Sequence, residues 1–407
     1  MTPSTAISQA AKASLVLVFF AFPMSVALAN VGLFFTLAFW LFGCVWGTSL
    51  RDTRAALSNP VAWPALALFA WIAIAALWSP ADGSLIGDAL GKYAKFLMLP
   101  MFIGLLNDPA TRRRCWQGFA VAMLFTLLIT WLNVWFDFSW TRTHNQGFGK
   151  DHTVFKDRIA QGILMSFFTV MAAFYAMRAS SRTGACLAWA VAALAAASLL
   201  FLSAGRTGYV SLPIALLAFA MFAVGLQVRK LALALFAVVA VVAIAFTTSS
   251  VIQSRTALAW QEITTSTLSG PVTSAGSRVE MIRFTLEEAL NDPILGHGTA
   301  SYPVLAKAYF TDEAWCWVVC VHPHNQFLFF LFEQGMVGLL LFLWFIVAMA
   351  RHAGRQEAPS RALVMAFVAI LVVSNMTHSS FWLSTENHFF ILMTALLMAA
   401  ARPRSPA

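Results

Sequence analysis

The sequence predicts an all-α polytopic integral membrane protein with about 12 transmembrane helices and a large extramembrane loop that itself contains helices. Three observations predict it. Hydrophobic residues make up 60% of the 407-residue chain and charged residues only 11%, against roughly 25% charged in a soluble domain. The apolar residues fall in blocks of roughly 18–22, the length that crosses a bilayer. The basic residues sit in short clusters between those blocks, the pattern of orientation signals. The formal charge of +9 is therefore spread over membrane-flanking loops, which argues against nucleic acid as a partner. There is no heptad, low-complexity tract or internal repeat, so residues 1–407 read as a single transmembrane domain.

The expected spans are 12–29, 31–49, 61–78, 93–106, 116–136, 159–177, 184–203, 207–226, 231–248, 326–350, 362–379 and 387–401. Lys12 precedes an apolar stretch with no small-residue cleavage site after it, so that stretch reads as the first span. The fourth span is the weakest, being short and carrying Lys95 and Pro100. Charge alternation requires it. With a cytoplasmic N-terminus, the inside segments hold Lys12, Arg51, Arg54, Arg112, Arg113, Arg114, Arg178, Arg182, Arg229, Lys230, Arg351, Arg355, Arg361, Arg402 and Arg404. Only Asp52, Asp108 and Glu357 oppose them, as the positive-inside rule demands. Without the fourth span, Arg112, Arg113 and Arg114 would fall outside. Both termini are expected in the cytoplasm.

The opposite face receives two sizeable loops, 137–158 and 249–325, with nearly all remaining acids and seven of the eight histidines. Function concentrates on such loops. Within 249–325, Ser277 and Glu280 fit a capping box, and Val279, Ile282, Leu286 and Leu290 recur at helical spacing. Asn291-Asp292-Pro293 stops that helix. Cys44, Cys115 and Cys186 stand alone. Cys316 and Cys320 are spaced C-x3-C, which suits a local disulfide or two free thiols. His322 and His324 nearby keep a zinc site in view, but such a site wants more ligands at matching spacing.

Three motifs could carry chemistry. Ser203-Ala204-Gly205-Arg206-Thr207-Gly208 interrupts an apolar run about two bilayers long, so the chain must turn there. Arg206 is either a snorkelling helix-end residue or an anion ligand, with glycines that allow close approach to a ligand and the side chain best shaped for phosphate oxygens. Arg278, in Gly276-Ser277-Arg278, opposes the helix dipole unless an anion is present. The plain alternative is a solvent-facing arginine. His322-Pro323-His324-Asn325 precedes span ten; it is either a polar helix cap or the site of a neutral imidazole base. Glu333, two helical turns further in, needs a partner at that depth. Lys92, Lys95, Lys150, Lys156 and Arg158 are lesser candidates for an anion-binding surface.

In this order, the motifs resemble the bacterial O-antigen ligase and polymerase superfamily. That family has an S-x-x-R-T/S-G-type element, a large periplasmic loop opening near G-S-R, a P-I-L-G-H-G-like segment and an H-N element entering a helix. Here these are Ser203–Gly208, Gly276–Arg278, Pro293–Gly298 and His324-Asn325, followed by Glu333-Gln334-Gly335-Met336-Val337-Gly338. The match covers roughly residues 200–340. The resemblance implies a glycosyltransferase of the bacterial inner membrane with a periplasmic active site. It implies undecaprenyl-diphosphate-linked O-antigen as donor and a sugar hydroxyl of lipid A–core oligosaccharide as acceptor. Arg206 and Arg278 would bind the donor diphosphate, and His324 would be the general base. His322, Asn325, Lys95 and Arg158 would support them. No D-x-D-like acidic cluster lies near these motifs, so neither metal nor other cofactor is expected, and direct displacement should invert the anomeric carbon. A polymerase of the same superfamily would use a second lipid-linked glycan as acceptor. A protein O-oligosaccharyltransferase often has a further C-terminal region, whereas this sequence stops at Pro406-Ala407. A transporter would place its ionisable groups near the midplane, whereas these gather at one face.

Overall fold

Apolar blocks this long satisfy their backbone hydrogen bonds only as helices inside a bilayer. The structure, a computed structural model, describes residues 3–45, 48–225, 227–265 and 272–399, and among these holds seventeen α-helices and no strand. The first ten are α1 (Pro3–Ala21), α2 (Val26–Val45), α3 (Thr48–Ala56), α4 (Ala62–Ala75), α5 (Gly83–Leu106), α6 (Pro109–Leu132), α7 (Arg158–Arg178), α8 (Arg182–Phe201), α9 (Arg206–Val224) and α10 (Val228–Thr248). Then follow α11 (Ser250–Thr265), α12 (Gly276–Ala289), α13 (Ser301–Tyr309), α14 (Glu313–Val319), α15 (Gln326–Ala353), α16 (Ala358–Thr377) and α17 (Ser384–Ala399). Arg402 and Arg404 lie outside the described residues.

The protein is a multi-pass membrane protein. Each of the twelve expected spans overlaps a helix, although 12–29 straddles the break between α1 and α2 and 31–49 runs from α2 into α3. Eight helices are long and apolar enough to cross a membrane, or up to nine if α10 and α11, bent by 84°, count as one span. The apolar stretches Thr5–Ala21 and Ala62–Trp78 are shorter. The weak fourth span is part of a 24-residue helix. Asp82 caps it, accepting the Leu85 N–H at 2.9 Å, so the helix starts ten residues before the expected 93 and Lys95 lies within it.

The ends of the helices segregate. At one end Arg355 and His352 meet Asn59, Asn107 and the end of α17. At the other, the loop 137–157, the turn between α8 and α9, α11 to α14 and the start of α15 come together. The described part of loop 249–325 thus contains helices, α11 to α14, as expected.

α12 departs from the expectation in detail. It starts at Gly276, with Ala275 rather than Ser277 at its N-cap, and no capping box forms. Its first N–H groups are taken from outside: Thr273 Oγ1 accepts from Gly276 at 3.2 Å, and Glu262 of α11 accepts from Ala275 at 2.8 Å. Glu280 is free to pair with Arg283 at 3.7 Å. The buried face is Glu280, Met281, Phe284 and Thr285, whereas Val279, Ile282, Leu286 and Leu290 are exposed. The helical spacing is as expected, and Phe284 packs on Tyr302 and Phe332 from the face opposite the apolar stripe.

α15 is interrupted at Gly335, whose φ of 64° and ψ of −167° break the helix. The segment Pro293–Gly298 fills the break. His297 and Gly298 donate to the carbonyls of Phe332 (2.9 Å) and Glu333 (2.8 Å), and Met336 donates to Pro293 O at 2.8 Å. A Cβ on Gly335 would lie 2.2 Å from Ile294 O, so only glycine fits. Fully buried Glu333 accepts the Tyr302 N–H at 3.3 Å and the Gln334 amide at 3.2 Å. It anchors the start of α13.

Candidate functional site

Three arginines are set at helix beginnings. Arg158 opens α7 after the Asp157 N-cap, whose carboxylate accepts from Ile159 and Ala160. Arg206 opens α9, and Arg278 is in the first turn of α12. The glycines of Ser203–Gly208 serve packing rather than ligand approach. A Cβ on Gly205 would lie 2.4 Å from Arg158 O, and one on Gly208 3.3 Å from the Gly162 Cα. That contact sets the start of α9 against the start of α7 and puts Arg206 beside Arg158. The loop 137–157 holds the same turn: Asp151 accepts the Ala204 N–H at 3.1 Å, His152 N–H donates to Leu202 O, and the Tyr209 hydroxyl donates to Ser203 O.

Arg278 is brought in by Glu262. Its carboxylate accepts the Ala275 N–H and pairs with Arg206 at 3.6 Å. Arg158, Arg206, Arg255 and Arg278, with Thr207 and Ser274, line one cleft of about 30 Å³. Burial, then the like charges of Arg206 and Arg158, pull Arg278 below its ordinary value, with Glu262 opposing. A guanidinium stays charged regardless, so the cleft keeps an excess of positive charge over its acid, Glu262.

Next to it lies a cavity of about 470 Å³ lined by Arg142, Asp151, Asp157, His322 and His378, and again by Arg158 and Ile159. His322, His324 and His378 form a ring cluster, with centroids 4.3 Å (322–324), 4.9 Å (324–378) and 5.7 Å (322–378) apart. His324 adopts φ 52°, a left-handed conformation that histidine tolerates better than most residues. Asn325 is the N-cap of α15, and its Oδ1 accepts from Phe327 and Leu328 at 3.0 and 3.1 Å. The plain helix-cap reading of Asn325 holds for that oxygen.

Burial lowers all three imidazoles from the usual histidine value. His322 falls to about 4, with Lys92 and Arg278 adding to the effect. His378 falls to about 3, with His322 and Arg278 adding. His324 falls further still, with His322, His378 and Arg278 adding. All are neutral near pH 7. The His324 N–H donates to His322 Nδ1 at 3.3 Å, so neutral His322 carries its proton on Nε2. Nδ1 of His324 has no hydrogen-bond partner. His378 Nδ1 is 3.6 Å from Glu386 Oε1.

The structure therefore brings Arg158, Arg206 and Arg278 to the cleft and His322 to the larger cavity, while His324 packs on His322 and His378 and lines neither. Lys95 lines neither cavity; its charge acts on His388 of α17. Lys156 is buried near Glu386 and Asp157. Sequence reasoning missed Arg255, Glu262, Asp151, Arg142 and His378. Arg255 and Glu262 lie seven residues apart on α11, and this pairing of opposite charges on one helix face was the available signal. Cys316 and Cys320 form a disulfide just before His322.

Residues 190–343 match the family described as O-antigen ligase. A protein of Rickettsia conorii that carries the provisional name polysaccharide ligase is 27% identical over 134 residues, 30% of this chain and 32% of that protein. The match thus spans about a third of the length of that relative. It bears out the resemblance to the O-antigen ligase superfamily that the motifs carry.

Proposed function

We propose, from the similarity of residues 190–343 to the O-antigen ligase family, that this protein joins a glycan carried on undecaprenyl diphosphate to a sugar hydroxyl of lipid A–core oligosaccharide. The reaction takes place at the periplasmic face of a bacterial inner membrane. The observation that carries this reading is the meeting of two chemistries at Arg158: a four-arginine cleft on one side and a neutral histidine cluster on the other. The cleft is too narrow to enclose a diphosphate, so the donor phosphates would lie at its mouth, bridged by Arg206, Arg278 and Arg158. The glycan would extend into the larger cavity.

The bond between the anomeric carbon and the phosphate oxygen breaks, and its electrons go to the lipid diphosphate. Guanidinium groups stabilise that charge without a proton being supplied. The acceptor oxygen attacks the opposite face of the sugar, which inverts the anomeric carbon. Its proton passes to His324. His324 suits the role better than His322, whose Nδ1 lone pair is engaged by the His324 N–H and whose Nε2 is then a donor. Asn325, with Oδ1 engaged in the cap, has its amide nitrogen for the sugar. No step needs a metal ion.

The test is a deletion strain and a purified assay. Loss of all O-antigen attached to core, with lipid-linked polymer accumulating, is the expected result. A single attached repeat would instead identify a polymerase acting on a second lipid-linked glycan. Purified enzyme should keep its activity in EDTA. Inhibition reversed by a divalent ion would end the metal-free mechanism.

A further inference from the structure

We propose that the cavity between the starts of α6 and α7's far end, at the basic face opposite the candidate site, binds the headgroup of an anionic phospholipid. The cavity measures about 480 Å³ and is lined by Arg112, Arg113, Trp116, Gln117 and Tyr175. Of its cations, Arg113 is not taken up by the acid at the start of α6. Asp108 is occupied with the backbone and hydroxyl of Thr111 and with Lys12 at 3.6 Å. Arg112 is fixed in place, donating to the carbonyls of Leu106 and Ala399 at 3.2 and 3.4 Å. Arg113 is exposed and can turn its fork toward a phosphate. Trp116 stacks on Phe167, with centroids 6.3 Å apart and planes at 20°, which makes its ring a fixed wall. Gln117 and the Tyr175 hydroxyl supply hydrogen bonds suited to glycerol oxygens.

What lies beyond the cavity selects a lipid over a soluble anion. On α6 the cavity residues Arg113 and Gln117 continue at helical spacing into Val121, Leu124 and Leu128. These three are 54%, 43% and 55% exposed and form an apolar stripe leading away from the charged end. A soluble phosphate has no use for such a stripe, whereas an acyl chain does. Arginines paired with Trp and Tyr at a membrane boundary match the charge and polarity of the headgroup layer. A zwitterionic headgroup would bring its own ammonium against the exposed Arg113, so an acidic headgroup such as phosphoglycerol is preferred.

The experiment uses the full chain in detergent, with native mass spectrometry of lipid adducts. Phosphatidylglycerol and phosphatidylethanolamine of identical acyl chains are the probes. The expected result is preferential retention of phosphatidylglycerol, and a loss of about ten-fold in its apparent affinity in Arg113→Gln, the scale of one charge-assisted contact. Arg51→Gln, which removes the same charge from exposed α3 outside the cavity, should leave the preference intact. Equal retention of the two lipids by the unaltered protein would overturn the proposal. So would equal losses in the two variants, which would mean that basic charge in general, and not this cavity, attracts the lipid. Arg113 is exposed, so its variant should keep the unfolding temperature of the lipid-free protein; a fall in Arg113→Gln alone would assign Arg113 to the fold and count against the site.

Discussion

The two flanks of the candidate site treat charge in opposite ways. On the arginine flank, Arg158, Arg206 and Arg278 stand at helix beginnings, where the dipole already disfavours cations, and among the described residues the acid that forms an ion pair there is Glu262, 3.6 Å from Arg206. On the histidine flank, burial keeps His322, His324 and His378 neutral. The first flank keeps charge where it is electrostatically costly, and the second prevents it. An anion settling among the arginines would offset the charge of Arg278, which adds to the burial that depresses the imidazoles. If the proposed donor binds there, its binding and the proton affinity of the proposed base would be coupled through Arg278.

The largest expected effect comes from breaking the cationic flank. Arg206→Ala and Arg278→Ala should each reduce transfer by about 10³–10⁵, the range seen where one arginine stabilises charge on a transferring phosphate group. Lysine should restore little, since it lacks the planar fork. The measurement is ligated product on a lipopolysaccharide gel, with membrane accumulation checked in parallel. Full activity in both alanine variants would return Arg206 to the snorkelling reading.

The histidine flank should respond by about 10²–10⁴, the usual cost of a lost general base. His324→Asn is the sharper variant, because asparagine tolerates the φ of 52° that alanine would find strained. It should lose transfer yet still bind lipid-linked donor, while His322→Ala should be milder. Reversed severities would move the base to His322.

Much of this was legible in the sequence, for physical reasons. Span lengths and loop charges follow from bilayer thickness and the positive-inside rule, so each expected span meets a helix. Arg206, Arg278 and His324 stood out because polar groups are conspicuous among apolar neighbours. What was hidden is contact between segments distant in sequence. Nothing local says that Pro293–Gly298 fills the break at Gly335, or that Glu262 ties α12 to Arg206. His378 was obscured because a histidine at the end of a span reads as an ordinary boundary residue. The capping box failed because Glu262 reached the free N–H of Ala275 from another helix.

The pH dependence separates the two flanks at smaller amplitude. A histidine whose value is lowered stays neutral as pH falls through 6.5 and takes up a proton only further down. The acid limb of kcat/KM, which reports the free enzyme, should therefore lie below the ordinary histidine range. With donor bound, the arginine field is offset, so the acid limb of kcat should lie at higher pH than that of kcat/KM. Stability follows the same sign. Unfolded histidines bind protons near 6.5 and the folded ones do not, so the unfolding temperature should fall as pH drops from 7 toward 5. Coincident limbs for kcat and kcat/KM would argue that the two flanks are not coupled.

The smallest effect should come from Glu262→Gln, and it tests the comparison most finely. Glutamine keeps an oxygen for the Ala275 N–H and so keeps the junction of α11 with α12. It removes only the negative charge facing Arg206. That pair is partly exposed, which limits its strength to about 0.2–1 kcal/mol, or at most about five-fold. If Glu262 competes with the donor diphosphate for Arg206, its neutralisation should lower KM for lipid-linked donor by that factor and leave kcat nearly unchanged. If Glu262 aims the Arg206 fork, kcat should fall instead while KM holds. The first outcome would make the arginine flank a site already occupied by an internal anion that the substrate displaces. The second would make Glu262 a positioning residue, with Arg206 dependent on it for geometry rather than merely restrained by it.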